Sequence, residues 1–261
     1  MKNKFLGGIA LSNSFFNNNR NSGNGFSLNK NSDSSYQPYQ QTDSYGYGHR
    51  SDAEIVSFVK QTYKLFAASM LSGTAGAYIG VSMAGVVQSS FWLFFILEIA
   101  LLIGLFVAKR ISPLNLILLF GFTFVSGLTI GPLLAKFLGM AGGAGIIANA
   151  FAMTTIIFGA LSMFAINTKS DFTSMGKPLF IAFIVVMVFS IINIFLGNPI
   201  LHIVIQSAVV LLFSFFIIYD TQNIIQGNYE TPIDGAVALY LDFLNLFTAL
   251  LQIFGFISKD E

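Results

Sequence analysis

The sequence predicts an all-α protein, a polytopic bundle of seven membrane-spanning helices, and three observations carry that reading. Of the 261 residues 54% are hydrophobic and only 10% charged, with a mean hydropathy of +0.72, which excludes a soluble globular domain. The apolar runs continue unbroken for about 20 residues, the length that crosses a hydrocarbon core, whereas a β-barrel shows alternating segments of about ten. Proline falls at run boundaries: Pro113, Pro178 and Pro199 stand where helices start, Pro132 is expected to close the third span, and Pro232 lies in the turn before the seventh. Continuous helices follow, without the broken-helix sites of many secondary transporters.

Residues 1–51 are rich in Asn, Ser, Gly, Gln and Tyr, as in NNNRNSGNG and SSYQPYQQ, and cannot bury enough apolar surface to offset the entropy of ordering. They are expected to form a disordered tail, and residues 52–261 the membrane domain. FLGGIAL behind MKNK is short for a signal sequence and no small-residue cleavage site follows, so no cleavage is expected.

Ser51-Asp52-Ala53-Glu54 fits a capping box, and Ile55, Val56, Phe58, Val59 and Tyr63 lead amphipathically into the first span, placed at about Tyr63–Val87. Ser72, Gly76, Gly80 and Ala84 give that span a small-residue face for close packing. The second span covers about Phe91–Ala108 and contains Glu98; the third covers Pro113–Leu133, the fourth Gly145–Ile166 and the fifth Pro178–Leu196. Spans six and seven enclose FFIIYDTQNIIQ and AVALYLDFLNLFTALLQIF, joined by the polar turn GNYETPIDG. Arg50, Lys60, Lys64, Lys109, Arg110, Lys169 and Lys177 gather on one side, against Lys136 and Lys259 on the other, so the amino terminus is expected in the cytoplasm.

Three acids lie within spans, Glu98, Asp220 and Asp242, with no Lys or Arg at comparable depth. An intramembrane carboxylate is costly and is by default a functional candidate. Asp220 precedes Gly227 by seven residues and Asp242 follows Gly235 by seven, so at 1.5 Å per residue both lie roughly 10 Å in from one turn. An antiparallel hairpin brings them to one depth, where they can share a proton or hold a cation such as Ca2+. Asn223 and Gln206 on span six, and Asn245 and Gln252 on span seven, extend polar faces that fit an ion pathway, with Glu98 as an outer station. The plainer alternative is that these acids are inter-helix glue, protonated and hydrogen-bonded.

Other chemistries find little support. A chain with no Cys has neither disulfides nor thiolate catalysis, and no basic cluster points to nucleic acid. GMAGGAGII has no Lys-Ser/Thr after it and is no phosphate loop, no G-x-S-x-G occurs, and His202 reads as an interfacial residue. Paired aspartates also describe an intramembrane aspartyl protease, but Leu239-Tyr240-Leu241-Asp242 lacks the Gly-x-Gly-Asp pattern and no Pro-Ala-Leu follows. No enzyme and no resident cofactor are expected.

FFIIYDTQNII, LYLDFLNLFTALLQIFG, WLFFILEIALLIGL and FVSGLTIGPLL resemble the transmembrane Bax inhibitor motif family over about Tyr63–Ile257. The resemblance implies six helices around a central seventh and, as in bacterial members, a pH-sensitive Ca2+ leak in the inner membrane. It makes Asp220 and Asp242 the pH sensor that gates the pore and Glu98 the span-two acid. Lys109 and Gln252 depart from the pattern, standing where some bacterial relatives have arginine. A non-transporting regulator that binds a membrane protease or a death-pathway protein is the alternative the resemblance also allows.

Overall fold

The computed structural model describes residues 50–258. The disordered-tail expectation, Arg50 and Ser51 apart, therefore lies outside the described residues, as does Lys259. Eight α-helices follow in order: α1 Asp52–Ser82, α2 Ala84–Ser89, α3 Phe91–Ala108, α4 Leu114–Leu138, α5 Gly143–Asn167, α6 Gly176–Leu196, α7 Pro199–Ile225 and α8 Pro232–Ile257. All but the six-residue α2 are long and apolar enough to cross a membrane, giving the seven spans expected.

Local chemistry sets the helix starts. Ser51 accepts the Glu54 amide while the Glu54 carboxylate takes the Ser51 amide, closing the capping box at α1. Asn198 caps α7 through the amides of Ile200 and Leu201, and Thr231 with Asp234 forms a second capping box at α8, where Pro232 is the first helical residue.

Two expected boundaries are corrected. The first span does not run to Val87, because α1 ends at Ser82 and Met83 separates it from α2. Pro132 does not close span three: α4 continues through it to Leu138. The missing N–H of Pro132 costs one helical hydrogen bond, but Leu133, Leu134 and Phe137 beyond it bury against the main core, and packing outweighs the local break.

The bundle is organised around α8, whose most apolar window is 56% buried, and which packs against α1, α4, α5 and α7. Helices α3 and α6 sit outside this group, on α4 and α7 respectively. Four helices thus make the most extended contact with α8, while Leu105 of α3 joins Ile233, Val237 and Tyr240 of α8 in a second apolar cluster. Tyr240 keys α8 to its neighbours, its hydroxyl donating to the Thr123 carbonyl at 3.0 Å and lying against Gly73 of α1. The outward side chains of α3 and α6, among them Trp92, Ile103, Ile181 and Phe195, are apolar and exposed, as a lipid-facing surface requires.

The closest helix contact joins α1 and α4, where the small-residue face predicted on the first span meets a complementary one. Ser72 donates to the Phe120 carbonyl at 2.9 Å, and a Cβ added at Gly76, Gly127 or Gly131 would overlap backbone atoms of the opposite helix. Gly127→Ala should therefore lower stability by about 1–3 kcal/mol, the usual cost of overpacking. Gly85→Ala, which meets nothing within 4 Å, should be neutral or slightly stabilising. Thermal unfolding of the two variants in detergent checks the contrast; equal effects would contradict this packing.

Candidate functional site

Asp220 on α7 and Asp242 on α8 meet as the matched spacing predicts. They are 5% and 3% exposed, and both line one cleft. Two ionised carboxylates cannot donate to one another, so a direct bond between them requires a proton on one. Asp220 Oδ1 also accepts from the Tyr229 hydroxyl at 2.6 Å, whereas Asp242 Oδ2 is buried without a hydrogen-bond partner. Burial, followed by the charge of Asp220, pushes the Tyr229 phenol far above its ordinary value, so it remains a donor.

The aspartates floor a cleft of about 560 Å³ bounded by α3, α6, α7, α8 and the α7–α8 turn. That turn is held from three directions. The Arg50 guanidinium donates to the carbonyls of Gly227, Tyr229 and Glu230 at 2.5, 2.9 and 2.8 Å and stacks over the Phe58 ring. Lys109 pairs with Glu230 at 2.8 Å and Asp234 at 3.3 Å, and Arg110 also pairs with Glu230. Gly227 supplies the left-handed backbone the turn needs, with φ +69°. These contacts place Arg50, the end of α3 and the turn at one end of the bundle.

The other sequence-predicted residues separate into distinct places. Glu98 accepts from Thr129 at 3.1 Å, and with Asn245 and Thr248 it lines a second cleft of about 220 Å³. Asn245 is three residues beyond Asp242, a rise of roughly 4.5 Å, so the two clefts follow one another along α8. Asn223 is turned to the loop instead: it donates to the Tyr219 carbonyl and accepts from Asn228, so its amide braces the turn and does not line the Asp cleft. Gln252, roughly 15 Å along α8 from Asp242, donates to the Thr248 carbonyl and lines a small cavity of about 100 Å³ with Lys136 and His202. Gln206 is half-buried on α7, roughly 21 Å from Asp220. The polar faces therefore diverge from the continuous stripe expected, because several of these amides bond their own helix or its loop.

Tyr229, Glu230 and Asp234 carry roles that the sequence reading missed. Their signal is the charged and aromatic content of GNYETPIDG, which by composition reads only as a polar turn. Gln222, also missed, ties α7 to the α5–α6 loop by donating to Ser170 and accepting from the Phe172 amide at 2.7 Å. Among the described residues no group of three or more His, Asp or Glu side chains could hold a metal, so a cation at the aspartates would draw its further ligands from other oxygens.

The fold and site define a helical integral membrane protein with an acid pair buried between its last two spans. The profile of the family described as "Inhibitor of apoptosis-promoting Bax1" matches residues 55–259, and the chain belongs to this family. It is 56% identical over 205 residues to an uncharacterized protein of Campylobacter jejuni, covering 77% of this chain and 89% of the relative. It is 52% identical over 210 residues to one of Helicobacter pylori, covering 80% and 91%. The Escherichia coli protein named modulator of FtsH protease YccA is 36% identical over 149 residues, 57% of this chain and 68% of that one.

The clamped α7–α8 turn can be tested in two ways. Arg50→Ala should speed hydrogen exchange at the Gly227 and Asn228 amides about tenfold, as expected for a loss of ~1.4 kcal/mol, with Arg50→Lys intermediate because an ammonium cannot fork across three carbonyls; unchanged exchange would contradict the clamp. The second concerns pH. The hydrogen bond from Lys109 holds the Glu230 carboxyl below its ordinary 4.5, so its contribution is present above that value and is lost only as pH falls through the lower folded value. Burial alone would lower Lys109, but Glu230 and Asp234 more than offset it and hold it above 10.5, so its contribution is lost only in stronger alkali. The stability deficit of Glu230→Gln should accordingly be constant from pH 5 to 8, read by thermal unfolding; a deficit that vanishes within that window would contradict the assignment.

Proposed function

We propose that the protein is a passive cation pathway, most simply for Ca2+, whose closed form is held by Asp220 and Asp242 sharing one proton. The observation that carries this reading is the pair itself: two buried carboxyl groups lining one cleft, one with an oxygen that no other group donates to. Loss of the shared proton leaves two negative charges in a low dielectric, which must separate or take up a cation, and a hard cation suits such oxygen ligands. Separation moves α7 against α8, and the Tyr229 bond and the clamped turn resist it. The Glu98, Asn245 and Thr248 cleft, next along α8, serves as the outer station.

This reading is of a transporter of ions without enzymatic chemistry. We place the protein in a bacterial inner membrane with Arg50, Lys109 and Arg110 on the cytoplasmic side, following the excess of Lys and Arg at that end. The ion pairs of the turn keep their charge between pH 5 and 8 on the directions given above, so a pH response in that range does not come from them.

A second reading is favoured by the relative named as a modulator of FtsH protease: a regulator that binds a membrane protease and moves no ions. The two are separated by Ca2+ flux into dye-loaded liposomes containing the full chain, stepped from pH 5 to 8. The pathway reading expects flux whose pH dependence disappears in Asp220→Asn/Asp242→Asn and persists in Glu230→Gln. Leakage no faster than from empty liposomes at every pH, with a membrane protease copurifying in stoichiometric amount, would overturn it in favour of the regulator.

A further inference from the structure

The cleft over the aspartates is walled in a way that a hydrated ion alone does not use. Five phenylalanines line it: Phe106 from α3, Phe180 and Phe183 from α6, and Phe213 and Phe216 from α7. Helices α3 and α6, which both line the cleft, make no extended packing with each other. Phe106 and Phe180, one from each of these helices, are 48% and 62% exposed. The site thus combines two acids with an aromatic wall, two of whose rings are exposed on the flanking helices.

The charges around the floor are unequal. Lys109 and Arg110 are engaged with Glu230 and Asp234, and Tyr229 donates to Asp220, but nothing donates to Asp242 Oδ2. An anionic amphiphile would meet two acids here. A neutral chain would cover the phenylalanines but leave that buried oxygen unpaired, which costs free energy. An ammonium group on an apolar chain satisfies both parts: its N–H donors reach the carboxylates, aromatic faces favour its charge, and the chain lies along the wall.

We propose that this cleft binds cationic amphiphiles of the primary alkylammonium class, which enter from the bilayer between α3 and α6 and place the ammonium against Asp220 and Asp242. The inference rests on the same aspartate pair as the cation pathway but does not require flux. Ala238, which lines the cleft without carrying charge, offers a way to fill it and keep both acids.

The test uses the full chain in phosphatidylcholine nanodiscs, photolabelled with dodecylammonium bearing a mid-chain diazirine and mapped by mass spectrometry. Labelling is expected on the α6 and α7 segments around Phe180–Phe183 and Phe213–Phe216, displaced by excess dodecylammonium and not by dodecanol. It should fall about tenfold or more in Asp220→Asn/Asp242→Asn and equally in Ala238→Trp, which decides the matter if the double variant does not fold. Equal competition by dodecanol, or labelling unchanged in the variants, would show apolar partitioning only and overturn the proposal. Absence of Ca2+ flux with aspartate-dependent labelling would refute the pathway reading alone; proton-regulated flux with labelling indifferent to these substitutions would refute this inference alone.

Discussion

Two carboxyl groups buried against each other in a membrane domain, with the nearby cations already paired elsewhere, form the constraint on which the rest of the structure depends. Carboxylates in hydrocarbon cost several kcal/mol, and a second one in contact adds repulsion unless a proton or cation intervenes. The fold meets this cost by concentrating order around the pair. Helix α8 is the most buried span, Tyr229 supplies a neutral donor to Asp220, and the turn bearing Tyr229 is fixed by Arg50, Lys109 and Arg110. The cations that could have neutralised the aspartates are instead spent on Glu230, Asp234 and backbone carbonyls.

That distribution bears on the plainer view of the aspartates as inter-helix glue. Several buried polar groups between helices are satisfied: Tyr240 donates to Thr123, and Gln222 uses both its donor and its acceptor, although Thr62 Oγ1 and Ser69 Oγ on α1 are buried without partners. The aspartate pair is different in being ionisable: Asp242 lines the cleft, and its buried Oδ2 has no hydrogen-bond partner. Unlike the unpartnered hydroxyls, a carboxyl oxygen can take up a proton, a cation or an ammonium, which is the exchange the proposed site uses.

Much of this was legible in the sequence, and the reasons are local. Seven apolar runs of spanning length, the capping box at Ser51, and the equal distances of Asp220 and Asp242 from their shared turn translate directly into geometry through helical rise. The failures came where packing decides. Pro132 reads as a helix end, yet Leu133, Leu134 and Phe137 carry α4 past it into the core. Asn223 and Gln252 read as members of one polar stripe, yet each bonds backbone close to itself in sequence, which spacing cannot reveal. The clamp by Arg50 joins residues 177 or more positions apart, and no periodicity connects them.

The claim most exposed to test is that the pair holds a shared proton in the closed form. Infrared difference spectroscopy of the protein in lipid, titrated from pH 8 to 5, reads the carbonyl stretch of protonated carboxyl groups directly. The account predicts a protonated-carboxyl band that titrates within this range and disappears or shifts in both Asp220→Asn and Asp242→Asn, with Glu98→Gln leaving it in place. A spectrum without a protonated carboxyl at any pH in the range, or a band that neither aspartate substitution alters, would contradict it.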